Sequence, residues 1–126
     1  MQDDEVAGPL AAAMRLETDA RAVADSTAKI VKPSEVSEVI GTLSRIQQVM
    51  SQVYSGLASW HAAVELGVHH AGEREPDGPQ NPGWVRAEMA LEEASQYSRD
   101  AASALERART ANMSARWFDE IRADGV

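Results

Sequence analysis

The sequence predicts an all-α protein: an antiparallel three-helix up-down-up bundle with coiled-coil-like packing and a short C-terminal helix. Three observations carry this expectation. First, Val36, Val39, Leu43, Ile46, Met50, Val53, Leu57, Trp60 and Val64 recur at alternating gaps of three and four. That is an unbroken a/d heptad pattern, which a strand of period two cannot use. Second, two other stretches carry helical periodicity and are set off by Pro33 and by a Gly/Pro-dense segment at 71–83. Third, aromatics are only 5% of the 126 residues and Ala is abundant, which suits closely packed helices.

Gly8-Pro9 opens the first helix, because Pro is tolerated in a first turn and presets φ. Leu10, Ala13, Leu16, Ala20, Val23, Thr27 and Ile30 form its stripe. The helix is expected to end near Lys32, since the residue before Pro33 is pushed out of the α region. Residues 1–8 read as a flexible leader.

Ser34 is the expected N-cap of the second helix, with Glu35 and Glu38 in the dipole-favoured first turn. The helix is expected to run from about Glu35 to Leu66. The seam residues Leu43, Ile46, Met50, Val53 and Leu57 are the expected core. Between Val39 and Val64 the only formal charge is Arg45; the outer positions are Gln, Ser, Ala and Gly. A solvated helix face ordinarily carries Lys and Glu. This helix is therefore expected to be covered on more than one side, either by the other two helices or by a second copy of the chain. The second choice makes Gln48, Val49, Gln52, Tyr54 and Ser55 an interface.

Residues 71–83 are an inter-helix linker, too rich in Gly and Pro for helix or central strand. The third helix is expected from about Trp84 to Ala111, with a seam of mostly small residues: Trp84, Ala87, Leu91, Ala94, Ser98, Ala101, Leu105 and Ala108. The large seam residues of the second helix are expected to fill the space those alanines leave. Asn112-Met113-Ser114 interrupts the pattern, and a short last helix, Ala115 to Arg122, brings Trp117 and Phe118 back to cap the bundle or to dock on a partner. The whole chain reads as one domain.

The net charge is −8, and each of the segments 1–32, 33–71, 72–83 and 84–126 contributes −2. With no basic arm, direct nucleic-acid binding is disfavoured. There is no cysteine, no secretory h-region and no run of 18 apolar residues, so a cytoplasmic location and no membrane are expected.

No phosphate loop, nucleophile elbow or catalytic pairing is present, and Glu88 and Glu92, spaced by four, miss the double Glu-x-x-Glu pattern of helical magnesium enzymes. The chain is therefore expected not to be an enzyme and to need no cofactor. The leading reading is a non-enzymatic helical protein–protein interaction module, self-associating as a homodimer, with another protein as the other possible partner. A metal-binding or metal-sensing bundle is the alternative: His61, Glu65 and His69 recur at i, i+4 and i+8, on one face of an unbroken helix. A small-molecule-binding bundle, with a pocket near Trp60 and Trp84, is the third.

Overall fold

The computed structural model describes residues 8–30, 32–64 and 83–125, with side chains from 8 to 30, at 32, from 34 to 63 and from 83 to 115. The described residues are almost all helical, and none is in a strand. The elements are α1 (Pro9–Ser26), a 3-10 turn (Thr27–Lys29), α2 (Pro33–Val64) and α3 (Gly83–Gly125). None is long and apolar enough to cross a membrane.

Pro9 sits at the start of α1 after an extended Gly8, whose carbonyl takes the first helical bond from the Ala12 N–H at 3.0 Å. Pro33 does the same for α2. The Lys32 carbonyl accepts the N–H groups of Glu35 and Val36 at 3.0 and 3.2 Å, so the helix begins one residue before the expected Ser34 cap. At the other end, α1 stops at Ser26 rather than near Lys32. The Ser26 and Thr27 hydroxyls donate to the Val23 and Ala24 carbonyls at 3.1 and 2.9 Å, so side chains satisfy carbonyls of the last turn. Ile30 is already extended.

Two corrections concern α3. It begins at Gly83, the last residue of the expected linker, and it runs through Asn112-Met113-Ser114 without a break. There is no separate short C-terminal helix. Nothing in that tripeptide is Pro or Gly, and Asn112 is engaged within the helix pair: its Nδ2 donates to Ser37 Oγ at 2.7 Å. The rest of the linker, with the end of the second helix expected at Leu66, lies outside the described residues.

α2 and α3 pair antiparallel, since partners on α3 descend as positions on α2 rise: Ser37 meets Asn112, Ser44 meets Ala102, and Ser51 meets Ser95. α1 buries no residue, and no Cα of it lies within 8 Å of a Cα of α2 or α3.

The third correction is the core. The line of α2 that faces α3 is Ser37, Gly41, Ser44, Ser51 and Ala58, all buried. Opposite them Ser95, Ser98 and Ala102 are buried, flanked by half-buried Leu91, Ala94, Ala101 and Leu105. The small seam expected of α3 is thus turned toward α2, but it meets small residues rather than large ones. Of the expected core, Leu43 and Met50 are half-buried, while Ile46, Val53 and Leu57 are 38%, 44% and 46% exposed. Among the described residues the only fully buried hydrophobic side chains are Ala58 and Ala102.

The geometry of a helix explains this inversion. Two residues correspond to about 200° of turn. Ser37, Ser44, Ser51, Ser55 and Ala58 each precede a member of the apolar heptad by two positions: Val39, Ile46, Val53, Leu57 and Trp60. The two heptads therefore occupy opposite sides of α2. The small one faces α3, and the apolar one faces away.

Candidate functional site

The seam between α2 and α3 is held by hydroxyls, and Ser95 is its centre. Its Oγ donates to the Ser51 carbonyl at 2.9 Å. The Arg99 Nη1 donates to it at 2.9 Å, and Ser55 Oγ lies 2.9 Å away. A hydroxyl has one proton and two lone pairs. Since the proton goes to Ser51, Ser55 is the donor in the last pair, and Ser95 is fully satisfied at 2% exposure. Ser44, which is fully buried, donates to the Ala102 carbonyl at 3.1 Å. Paired this way, buried hydroxyls avoid the penalty for unsatisfied polar groups, and their small size lets the helices approach closely. The hydrogen bonds between α2 and α3 thus join serine hydroxyls to backbone carbonyls, to one another and to the Asn112 amide.

The opposite side of α2 is the candidate site. Val49 and Trp60 are 55% and 60% exposed, which extends the open stripe beyond Ile46, Val53 and Leu57. α1 lies beside this stripe without closing on it. A cleft of about 510 Å³ separates Val23 and Ile30 from Val39, Leu43 and Ile46. A second, of about 380 Å³, separates Leu16 from Ile46, Val49 and Val53. Leu10, Met14, Leu16 and Val23 of α1 are themselves exposed. The two helices thus form the walls of one apolar groove, with Lys29, Glu35 and Glu38 at the end near the connecting turn.

A polar cleft of about 460 Å³ lies to one side, where Arg45 and Arg109 converge over Gly41. A Cβ at Gly41 would stand 3.1 Å from Arg109 Nε and 3.2 Å from its Cδ, so the glycine makes room for that side chain. Arg45 is bonded to Thr42 Oγ1 at 3.1 Å, and Arg109 lies 3.6 Å from Glu106.

The residues expected at an interface are divided by this geometry. Val49 lines the apolar groove and Gln52 is exposed. Ser55 is bonded to Ser95, and Gln48 stands beside Arg99 and Ala102, so both lie toward α3. Tyr54 is half-buried. Trp117 and Phe118 fall within α3, with their side chains outside the described set. Of the metal candidates, His61 is half-buried and its Nδ1 lies 2.8 Å from the Leu57 carbonyl, so Nδ1 is the donor. In the neutral ring this leaves Nε2 as the nitrogen with a free lone pair. Glu65 and His69 lie outside the described residues, among which no three metal-ligating side chains gather. Trp60 stands edge-on to His61, and Trp84 is half-buried with an Nε1 that has no acceptor among the described residues.

The serine seam and the α1–α2 groove escape a reading that counts hydrophobic residues. The seam carries no hydropathy signal, although Ser37, Gly41, Ser44, Gln48, Ser51, Ser55, Ala58 and Ala62 hold the same heptad spacing as the apolar line. That second periodicity is the signal that could have found it. No family model, no curated protein and no solved structure matches the chain.

Proposed function

We propose that the chain is a non-enzymatic helical interaction module that self-associates through the outward stripe of α2. One observation carries the reading. In a chain that is 44% hydrophobic, the buried hydrophobic side chains among the described residues are two alanines, while Ile46, Val49, Val53, Leu57 and Trp60 stand exposed along one side of α2. A domain of this length would ordinarily bury roughly two thirds of its unfolded surface, and an exposed contiguous apolar face marks an interaction site.

The coiled-coil-like packing encoded by the α2 heptad then forms between chains. The up-down-up three-helix arrangement belongs to the same associated state, in which α1 gains an apolar surface to rest on. Association of this kind makes stability depend on chain concentration. The urea midpoint, followed by circular dichroism, is expected to rise as the chain is concentrated from low to high micromolar. A midpoint that does not move would contradict the proposal.

A further inference from the structure

We infer that the groove between α1 and α2 seats α2 of a second copy, antiparallel, with Ile46 of each chain against Met50 of the other. The inference rests on the self-association proposed above and adds the seat, the direction and the register. Each wall of the unfilled groove carries an apolar strip, Leu16 and Val23 on one side and Ile46, Val49 and Val53 on the other, with Thr42 and Arg45 also on the α2 wall. An amphipathic helix laid into such a groove is a recurrent docking mode. A single incoming helix would cover the faces of α1 and α2 together.

Charge selects a second copy as that helix. The chain carries −8, which opposes approach of its copies elsewhere. Its α2 has no acid from Val39 to Val64 and one base, Arg45. This stretch is where two copies meet without acid facing acid. Area agrees. At 1.5 Å per residue and a helix width of about 10 Å, the α2 stripe and α1 together offer about 700 Å² per chain, close to the roughly 800 Å² per partner of a standard stable interface.

The register follows from symmetry. A two-fold dimer uses the same patch twice, and antiparallel heptad seams place each a position beside a d position of the other helix. Centring the two-fold near residue 48 puts Leu43 against Val53 and Ile46 against Met50 at every layer of the seam middle. It also leaves the two Arg45 side chains about 9 Å apart along the helix axes.

The chain has no cysteine, so introduced thiols report this arrangement directly. Full-length chains carrying Ile46→Cys, Met50→Cys or Leu57→Cys are mixed in pairs, with one of each pair tagged, and oxidised. The Ile46→Cys with Met50→Cys mixture is expected to give the mixed disulfide, and Ile46→Cys alone is expected to give none, because Cα atoms more than about 7 Å apart cannot be bridged. A self-linked Ile46→Cys dimer would show parallel pairing and overturn the inference, and an Ile46→Cys to Leu57→Cys link would overturn the register. No link in chains that light scattering finds dimeric would place the interface elsewhere and leave self-association standing. A monomer throughout would remove both. For the α1 wall, Leu16→Glu is expected to raise the dissociation constant about tenfold or more. An unchanged constant would overturn the groove as the seat.

Discussion

Ser44 and Ile46 stand two residues apart and on opposite sides of α2. The serine is fully buried, with its hydroxyl donated to Ala102, and the isoleucine is 38% exposed. The hairpin therefore closes on its small residues and leaves its large ones available. The packing of the helix pair and the proposed association involve different faces of α2, so substitutions can separate them.

The first expectation concerns the seam. Ser44→Leu adds a branched side chain where no space exists and is expected to destabilise the hairpin by about 1–3 kcal/mol. Ser44→Ala loses a single hydrogen bond and is expected to cost about 1 kcal/mol. Urea denaturation measures both. A Ser44→Leu chain within about half a kcal/mol of the parent, as surface changes usually are, would mean that the seam is not close-packed.

Leu57 tests the other face. It is 46% exposed in the single chain. At concentrations low enough to keep chains apart, Leu57→Ala is expected to cost under about 1 kcal/mol, well short of the ~2–5 kcal/mol typical of a buried leucine. A core-sized loss at high dilution would restore the apolar heptad to the interior of the single chain.

How far the sequence was legible follows from these two residues. The helix start at Pro9 could be read because proline acts locally, through φ and a missing N–H, whereas Pro33, taken as the stop of the first helix, opens the second one two residues ahead of the expected Glu35. The apolar heptad could be read too, but its partner could not. Periodicity identifies a face and is silent on what covers it. Large apolar residues usually lie in the interior, which is why the sequence places that face there, but small residues at the same spacing permit close helix packing and occupy the buried side instead. The expected break at Asn112 failed for a related reason. A loss of apolar pattern is not a helix stop when no Gly or Pro enforces one, and Asn112 found a partner in Ser37, 75 residues away. The groove between α1 and α2 depends on the placement of two helices, which no local pattern encodes.

Two helical glycines offer a contrast. A methyl added at Gly56 would meet nothing within 4 Å, so Gly56→Ala is expected to stabilise the chain by about 0.5–1 kcal/mol through helix propensity alone. At Gly41 the methyl would press on Arg109, so Gly41→Ala is expected to gain less. Paired thermal melts at one concentration check the order. Gly41→Ala proving the more stabilising would show that Arg109 moves aside freely.

Tyr97 provides a pH observable. Its hydroxyl donates to Glu93 Oε2 at 3.0 Å, and that hydrogen bond, then the carboxylate's charge, holds the phenol above its usual value near 10. The raised value favours the protonated form in the folded chain. Any stability it lends is present below pH ~10 and is lost as pH rises through the folded value. In an ultraviolet titration Glu93→Gln is expected to lower the apparent tyrosine midpoint. An unchanged midpoint would mean that the contact does not persist in solution.

The measurement that bears most directly on the account is light scattering of the purified chain across a concentration series, alongside Val53→Glu. Val53 is 44% exposed on the outward stripe of α2, so the glutamate adds a charge there while leaving the serine seam untouched. The parent chain is expected to reach twice its 13.6 kDa mass at high micromolar concentration. Val53→Glu is expected to remain at 13.6 kDa with its helical circular dichroism intact. A parent chain that stays at 13.6 kDa at every concentration, or a Val53→Glu chain that dimerises as well as the parent, would contradict it.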